Sequence, residues 1–163
     1  MYNLDDIDKE ILRLLHDNGR MTHAAIANEL NMTRPSIHKR VHKLYDSGYI
    51  RSYSSELNWE MLGYTVDALI GLSTSVKDFN KKIEEIMQMQ DENYLILSCQ
   101  RVTGPYCLLL HVRAKQTLDL TTLHDRLLAS EGIDATNTNL ILQTEKLTFH
   151  KELPAHPDND EED

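Results

Sequence analysis

Apolar positions recur along the first fifty residues with a helical period. Ile7, Ile11, Leu14 and Leu15 fall on one side of a helix that Asp5 can cap and Leu4 can staple, and Asn18-Gly19 ends it near Asp17. Thr22 can cap a second helix through Leu30, with Ala25, Ile26 and Leu30 facing inward. After the short Asn31-Met32 connection, Thr33 can cap a third helix that tolerates Pro35 in its first turn. That helix carries Ile37, Val41 and Leu44 at i, i+4, i+7 and meets Gly48 at its C′ position. Two short helices joined by a turn of three to four residues describe a helix-turn-helix.

Beyond Gly48 the period changes. Residues from Tyr49 to Leu57 read as extended, and Asn58 to Gly63 as a turn of helix closing a linker. Residues 64–74 predict a strand, 77–90 a helix carrying Phe79, Ile83, Ile86, Met87 and Met89, and 94–102 a second strand. Thr103-Gly104-Pro105 predicts a turn into a third strand from Tyr106 to Val112. Residues 116–130 predict a helix with Leu118, Leu120, Leu123, Leu127 and Leu128 on its apolar face, and Ile133 to Leu147 alternates as a strand. The order is β-α-β-β-α-β, a ferredoxin-like arrangement, so the fold class is α+β. Two helices then cover one sheet face, and the open face is expected to be an association surface, making the protein a dimer. The expected domains are 1–50, a linker at 51–63, 64–150, and an acidic tail at 151–163.

A net charge of −9 argues at first against a nucleic-acid partner. Its distribution reverses that inference, because residues 1–58 hold eight basic and eight acidic groups and the remainder carries the whole −9. Within the first part most acids precede residue 30 and most bases follow residue 33, and binding depends on the local field. The tail, with Glu152, Asp158, Asp160, Glu161, Glu162 and Asp163 beside two prolines, reads as a solvated, disordered end. No run approaches the roughly 18 apolar residues of a membrane span, and the N-terminus does not read as a signal peptide. Cytoplasm, in association with the nucleoid, is the expected compartment, without a membrane partner.

The third helix carries the candidate chemistry. From Thr33 to Leu44 it holds four cations and no carboxylate, as a helix lying against DNA phosphates requires. Thr33 opens it. Arg34, Ser36, His38 and Lys39, near its N-terminal half, are the expected contacts to base edges, Arg40 and Lys43 to phosphates, and Arg51 to the DNA backbone as from a wing. His38 and His42 stand at i, i+4, but no third ligand of suitable spacing accompanies them, so no metal and no cofactor are expected. Cys99 and Cys107, on opposite arms of the hairpin around Gly104, could lie near one another as a redox pair. His111 with Asp119, or His124 with Asp125, could be written as catalytic pairs, but no nucleophile elbow or phosphate loop accompanies them.

A helix-turn-helix followed by βαββαβ resembles the leucine-responsive/asparagine regulator (Lrp/AsnC) family of transcription factors. The markers are Leu4-Asp5-x-x-Asp8-x-x-Ile11-Leu12, Asp17-x-Gly19-Arg20 and Ala27-x-x-Leu30-x-Met32-Thr33. They continue through Val41-x-x-Leu44-x-x-x-Gly48-x-Ile50, Leu62-Gly63-Tyr64 and Val102-Thr103-Gly104-x-Tyr106, and together span about residues 2–150. The resemblance implies a DNA-binding dimer that assembles into octamers or similar rings and binds an amino acid between dimers. The family's ligand loop commonly reads Gly-Asp-Tyr/Phe-Asp, whereas this chain has Gly104-Pro105-Tyr106-Cys107, so both acids that could pair with an ammonium group are replaced. The remaining expected contacts are Thr103 and Gly104 through the backbone, Tyr106, and the hydroxyls of Thr136 and Thr138. An amino acid, a different effector or none are the alternatives.

The expected function is therefore a non-enzymatic, sequence-specific regulator on double-stranded DNA, with a pseudo-palindromic site read by two third helices. One alternative is an effector-independent architectural DNA binder. Another is an enzyme, since haem-pathway decarboxylases resemble this architecture; it would draw on Arg101, Arg113, His111 and His124.

Overall fold

The computed structural model describes residues 2–145. These form two compact units that divide at Glu56/Leu57, inside the segment expected to be the linker. The acidic tail, and the end of the last expected strand at Lys146 and Leu147, lie outside the described residues.

Three helices build the first unit: α1 (Asp6–Asp17), α2 (His23–Glu29) and α3 (Arg34–Asp46). Each starts where a side chain can satisfy an orphan amide. The Asp8 amide donates to Asp5 Oδ1 at 2.8 Å while the Asp5 amide donates to Asp8 Oδ2 at 3.3 Å, a reciprocal capping box. Thr22 accepts from the Ala25 amide at 3.1 Å, and Thr33 from the Ser36 amide at 3.4 Å. α3 ends through Gly48 at φ +80°, a conformation that needs no Cβ, and the Tyr49 amide returns to the Leu44 carbonyl. Ile11, Leu14, Ile26, Ala27, Ile37, Val41, Leu44 and Ile50 close the core. Two positions depart from the expected apolar stripes. Ala27 is buried where Ala25 was expected to be, and Ile7 stays at the surface, 37% exposed, because it falls at the rim of the α1 stripe.

Residues 51–58 form no strand. An extended segment becomes a strand only with a partner ladder, and among the described residues none pairs with it. At Trp59 to Gly63 the expected turn is present, with the Leu62 amide donating to the Asn58 carbonyl and Gly63 to Glu60.

The second unit runs β1 (Val66–Thr74), α4 (Phe79–Met87), β2 (Tyr94–Arg101), β3 (Leu108–Ala114), α5 (Asp119–Leu128) and β4 (Ile133–Leu140). All strand pairs are antiparallel in the order β2-β3-β1-β4, the ferredoxin-like arrangement. Ala68, Ile70, Leu72, Leu108, Leu110, Val112 and Ala114 form one face, which Ile86, Leu120, Leu123 and Leu127 of the two helices cover. The alternate positions of β1 and β3, Asp67, Leu69, Gly71, Leu109, His111 and Arg113, make the other face. β4 stops at Leu140, short of Leu147, because its partner β1 begins at Val66: the Ile141 amide takes the Asp67 carbonyl at 2.8 Å and the ladder has no further rung. The helices are likewise shorter than the apolar pattern, since Asp78 caps α4 by accepting from the Lys81 amide. β3 starts at Leu108 rather than Tyr106. Cys99 and Cys107 are free and stand three rungs apart, Cys99 opposite Leu110 and Cys107 bonded to Val102, so the hairpin does not bring them together.

Candidate nucleic-acid interface

α3 buries Ile37, Val41 and Leu44, and this apolar stripe decides what its other positions can do. Thr33, Arg34, His38, Lys39, His42 and Lys43 are exposed, and Ser36 is half-buried. Among the described residues Arg34 and Lys39 make no ion pair, so both guanidinium and ammonium are available to an anion. Thr33 is occupied as the cap.

Arg40 is the exception. It lies on the flank of α3 that meets the start of α1, and its Nη1 is 2.7 Å from both Asp5 Oδ2 and Asp8 Oδ1. Asp8 is fully buried, and its other oxygen accepts from the Tyr2 hydroxyl. Partial burial pushes the Asp5 carboxyl up, but the Asp8 amide and the Arg40 guanidinium more than offset this and hold it below the ordinary 3.8. The bond to Asp8, aided by burial, pushes the Tyr2 hydroxyl up to about 12. Arg40 therefore ties α3 to α1, and the charge expected to meet a phosphate is already paired within the domain. Lys43, one turn on, keeps its ammonium at the surface, 3.9 Å from the centre of the Tyr2 ring. Arg51 is exposed, but on an irregular segment rather than a wing strand.

On the opposite flank α3 meets α2. His38 Nδ1 lies 3.3 Å from His23 Nδ1, and the His42 ring stands edge-on to His38 with centroids 4.8 Å apart. Partial burial lowers the His23 pKa below 6.5, helped by the nearby positive charge of His38, Arg34 and His42. His23 escaped the sequence reading because the contact joins residues fifteen apart on different helices, which no single-helix period encodes. Among the described residues no group of three or more His, Cys, Asp or Glu side chains is arranged to hold a metal ion.

The effector candidates do not converge within one chain. Tyr106 lies flat on the open sheet face over Gly71, where an added Cβ would come within 2.6 Å of its ring. Thr103 and Gly104, the latter at φ +113°, are exposed in the preceding turn. Thr136 pairs with Leu72, points to the helix side, and shares a 2.6 Å hydrogen bond with His124 Nδ1; Thr138, opposite Ile70, has the same parity. The expected grouping thus splits between two faces of the sheet, because residues two apart on β4 share the face opposite to that of Gly71.

The open face carries a cluster the sequence reading did not assemble. Asp67 holds His111 Nε2 at 2.7 Å and Arg113 Nη2 at 2.7 Å, while Arg113 Nε is buried without a partner. His111 thus pairs with Asp67 across the ladder and not with Asp119, and His124 binds Thr136 rather than Asp125. Arg101 stacks on Phe79 at 4.0 Å.

Comparison with known proteins agrees with this geometry. Residues 4–51 match the model of a winged helix-turn-helix DNA-binding domain, and residues 68–150 that of the Lrp/AsnC ligand binding domain. An HTH-type transcriptional regulator of Pyrococcus abyssi is 32% identical over 149 residues, covering 91% of this chain and 99% of the relative. The regulator FL11 of Pyrococcus furiosus is 28% identical, covering 93% and 96%. Among solved structures, the Neisseria meningitidis regulator NMB0573 in complex with L-Met superposes with a TM-score of 0.80 at 26% identity, covering 93% of this chain and 97% of that one. Escherichia coli AsnC shares the fold, with a TM-score of 0.75 at 24% identity over 90% of this chain and 97% of its own. With a helix-turn-helix domain followed by this ligand-binding domain across nearly its whole length, the chain belongs to the Lrp/AsnC family of DNA-binding transcriptional regulators.

Proposed function

We propose that the protein acts in the cytoplasm as a dimeric, sequence-specific regulator that reads DNA with α3 and responds to a small effector. The observation that carries the reading is the outer surface of α3, where Arg34 and Lys39 stand free of ion pairs beside Ser36 and His38, while Asp5 and Asp8, which pack against the helix from the start of α1, are paired with Arg40. Arg34, Ser36, His38 and Lys39 contact bases or their flanking phosphates, and Lys43 and Arg51 the backbone. Two copies join through the open sheet face, where Leu69 and Leu109 flank the Asp67 cluster, and present two α3 helices to a pseudo-palindromic site. Further assembly of dimers raises avidity without new contacts.

An amino acid is the proposed effector, because a relative of the same fold is an L-Met complex. Since Pro105 and Cys107 offer no carboxylate, its ammonium group takes backbone carbonyls near Thr103 and Gly104. Tyr106 supplies apolar cover, and Thr136 and Thr138 belong to the site only if a neighbouring copy brings their edge of the sheet to it.

Selection of bound genomic fragments at fixed salt, with and without added amino acids, tests both halves. Fragments that outcompete bulk DNA support sequence-specific regulation; uniform recovery would reduce the protein to an architectural binder. Arg34→Ala and Lys39→Ala are each expected to weaken binding about fivefold at physiological salt and to lower the salt slope by about one unit. An unchanged slope in both variants would remove α3 from the interface.

A further inference from the structure

Three imidazoles crowd the edge of the DNA-facing helix, and two of them touch through the same kind of atom. His23 comes from α2 and His38 from α3, with Nδ1 facing Nδ1 at 3.3 Å, and His42 packs edge-on against His38. Two bare Nδ1 atoms would oppose lone pairs, and two protonated ones would oppose hydrogens. The contact therefore holds one proton between the two Nδ1 positions.

This constraint fixes what His38 shows to the outside. When the shared proton sits on His23, His38 accepts it at Nδ1 and carries its own hydrogen on Nε2, presenting a donor. When the proton sits on His38 Nδ1, a neutral His38 has a bare Nε2 and presents an acceptor. One additional proton gives His38 hydrogens on both nitrogens, keeps the bond to His23 intact, and adds a positive charge at the helix surface. A second would break the contact. The pair is built to take up one proton.

The charged groups that face the pair oppose that proton in the free protein. Arg34 and His42 face the pair from α3. Arg20, Tyr45 and Tyr53 line the adjoining hollow of about 460 Å³ with His23 and His42, and no carboxylate lines it. Phosphates placed along α3 would reverse this balance, since they bring negative charge to a pair whose facing charges are positive.

We infer that the His23–His38 pair is a proton-linked part of the DNA interface: the domain takes up one proton as it binds, with His23 as a positioning residue that sets the tautomer and charge of His38. The inference rests on the α3 reading of the function. Linkage then gives opposite signs for folding and for binding. His23 in the free domain titrates below the 6.5 of an ordinary imidazole, so the unfolded chain binds more protons and stability falls as pH drops through 6.5. DNA affinity instead rises as pH drops from alkaline values through the pKa of the bound pair.

The test is fluorescence anisotropy of the full chain on a labelled random-sequence duplex, between pH 8 and pH 6 at constant ionic strength with chelator present. Affinity is expected to rise by up to about tenfold per pH unit for each domain bound. His38→Gln should flatten that dependence. His23→Phe, which removes the acceptor for the His38 Nδ1 hydrogen, should move it to lower pH, and His23→Gln, whose side-chain carbonyl can accept the same hydrogen, should restore it. Imidazole resonances followed by NMR should show the pair taking up its proton at a higher pH on DNA than off it. A wild-type profile that is flat, or parallel to that of His38→Gln, overturns the inference while leaving DNA binding intact. No binding at any pH would instead overturn the α3 reading itself.

Discussion

Arg40→Ala is expected to destabilise the DNA-binding domain by about 3 kcal/mol, a loss of the size usually seen for truncating a core residue. The reason is Asp8, fully buried and left by the substitution with a carboxylate that only the Tyr2 hydroxyl and the Asp5 amide still serve. A domain of this size holds only about 3–8 kcal/mol of stability in total, so much of the population would unfold near physiological temperature. Chemical denaturation followed by circular dichroism measures the loss directly. Lys39→Ala, one residue earlier and without an ion-pair partner, should leave the same midpoint nearly unmoved. Combining Arg40→Met with Asp8→Leu should recover most of the loss, because the penalty belongs to the orphaned charge and not to the missing attraction. Acid should mimic the substitution in part. Asp5 titrates below 3.8 in the fold, so its share of the stability is complete above that value and disappears as pH falls through the lower, folded pKa.

Asp67→Ala is expected to weaken both the second domain and its self-association. In the fold Asp67, 12% exposed, bonds to His111 and Arg113 at once. Its removal costs about 2 kcal/mol, the value of charge-assisted hydrogen bonds at a largely buried group. The effect on assembly is the larger one. In the dimer proposed above the open face packs against that of a second copy, so an Arg113 stripped of its counter-charge would lie uncompensated at the interface. Dimer dissociation should become at least about tenfold easier, which sedimentation at decreasing concentration would read as a shift toward monomer. A variant that loses stability but keeps its dimer constant would place the two-fold interface elsewhere.

Much of this arrangement was readable from residues in order. Asp5, Thr22 and Thr33 announced three helix starts because an N-cap is a local contract between a side chain and an amide two or three positions on. The alternation in Leu108 to Ala114 announced a strand with one buried face, and the sequence of periods announced βαββαβ. What escaped depended on parity or on distance. Arg40 looked like its neighbours on a helical wheel, which records that a position is off the core but not which flank meets the acids of another helix 32 residues earlier. Thr136 and Thr138 have the right chemistry for a ligand, yet their face follows from the register of β4 against β1, which is set at the bulge between Ser73 and Thr74. The segment after Ile50 has the composition of a strand, but among the described residues it has no neighbour to pair with. His23 and Asp67 were single polar residues until tertiary structure supplied their partners.

Gly71, in the middle of a central strand, gives the loop that carries Tyr106 its resting place. Because the aromatic ring occupies the space a Cβ would need, position 71 behaves as a keyhole: any larger residue would prise the loop upward while the helices behind the sheet, and the whole DNA-binding domain, stay as they are. If the proposed effector acts through that loop, a genetic screen for alleles that still grip DNA but no longer answer to it would have a natural target there, in a residue that bears no functional group at all.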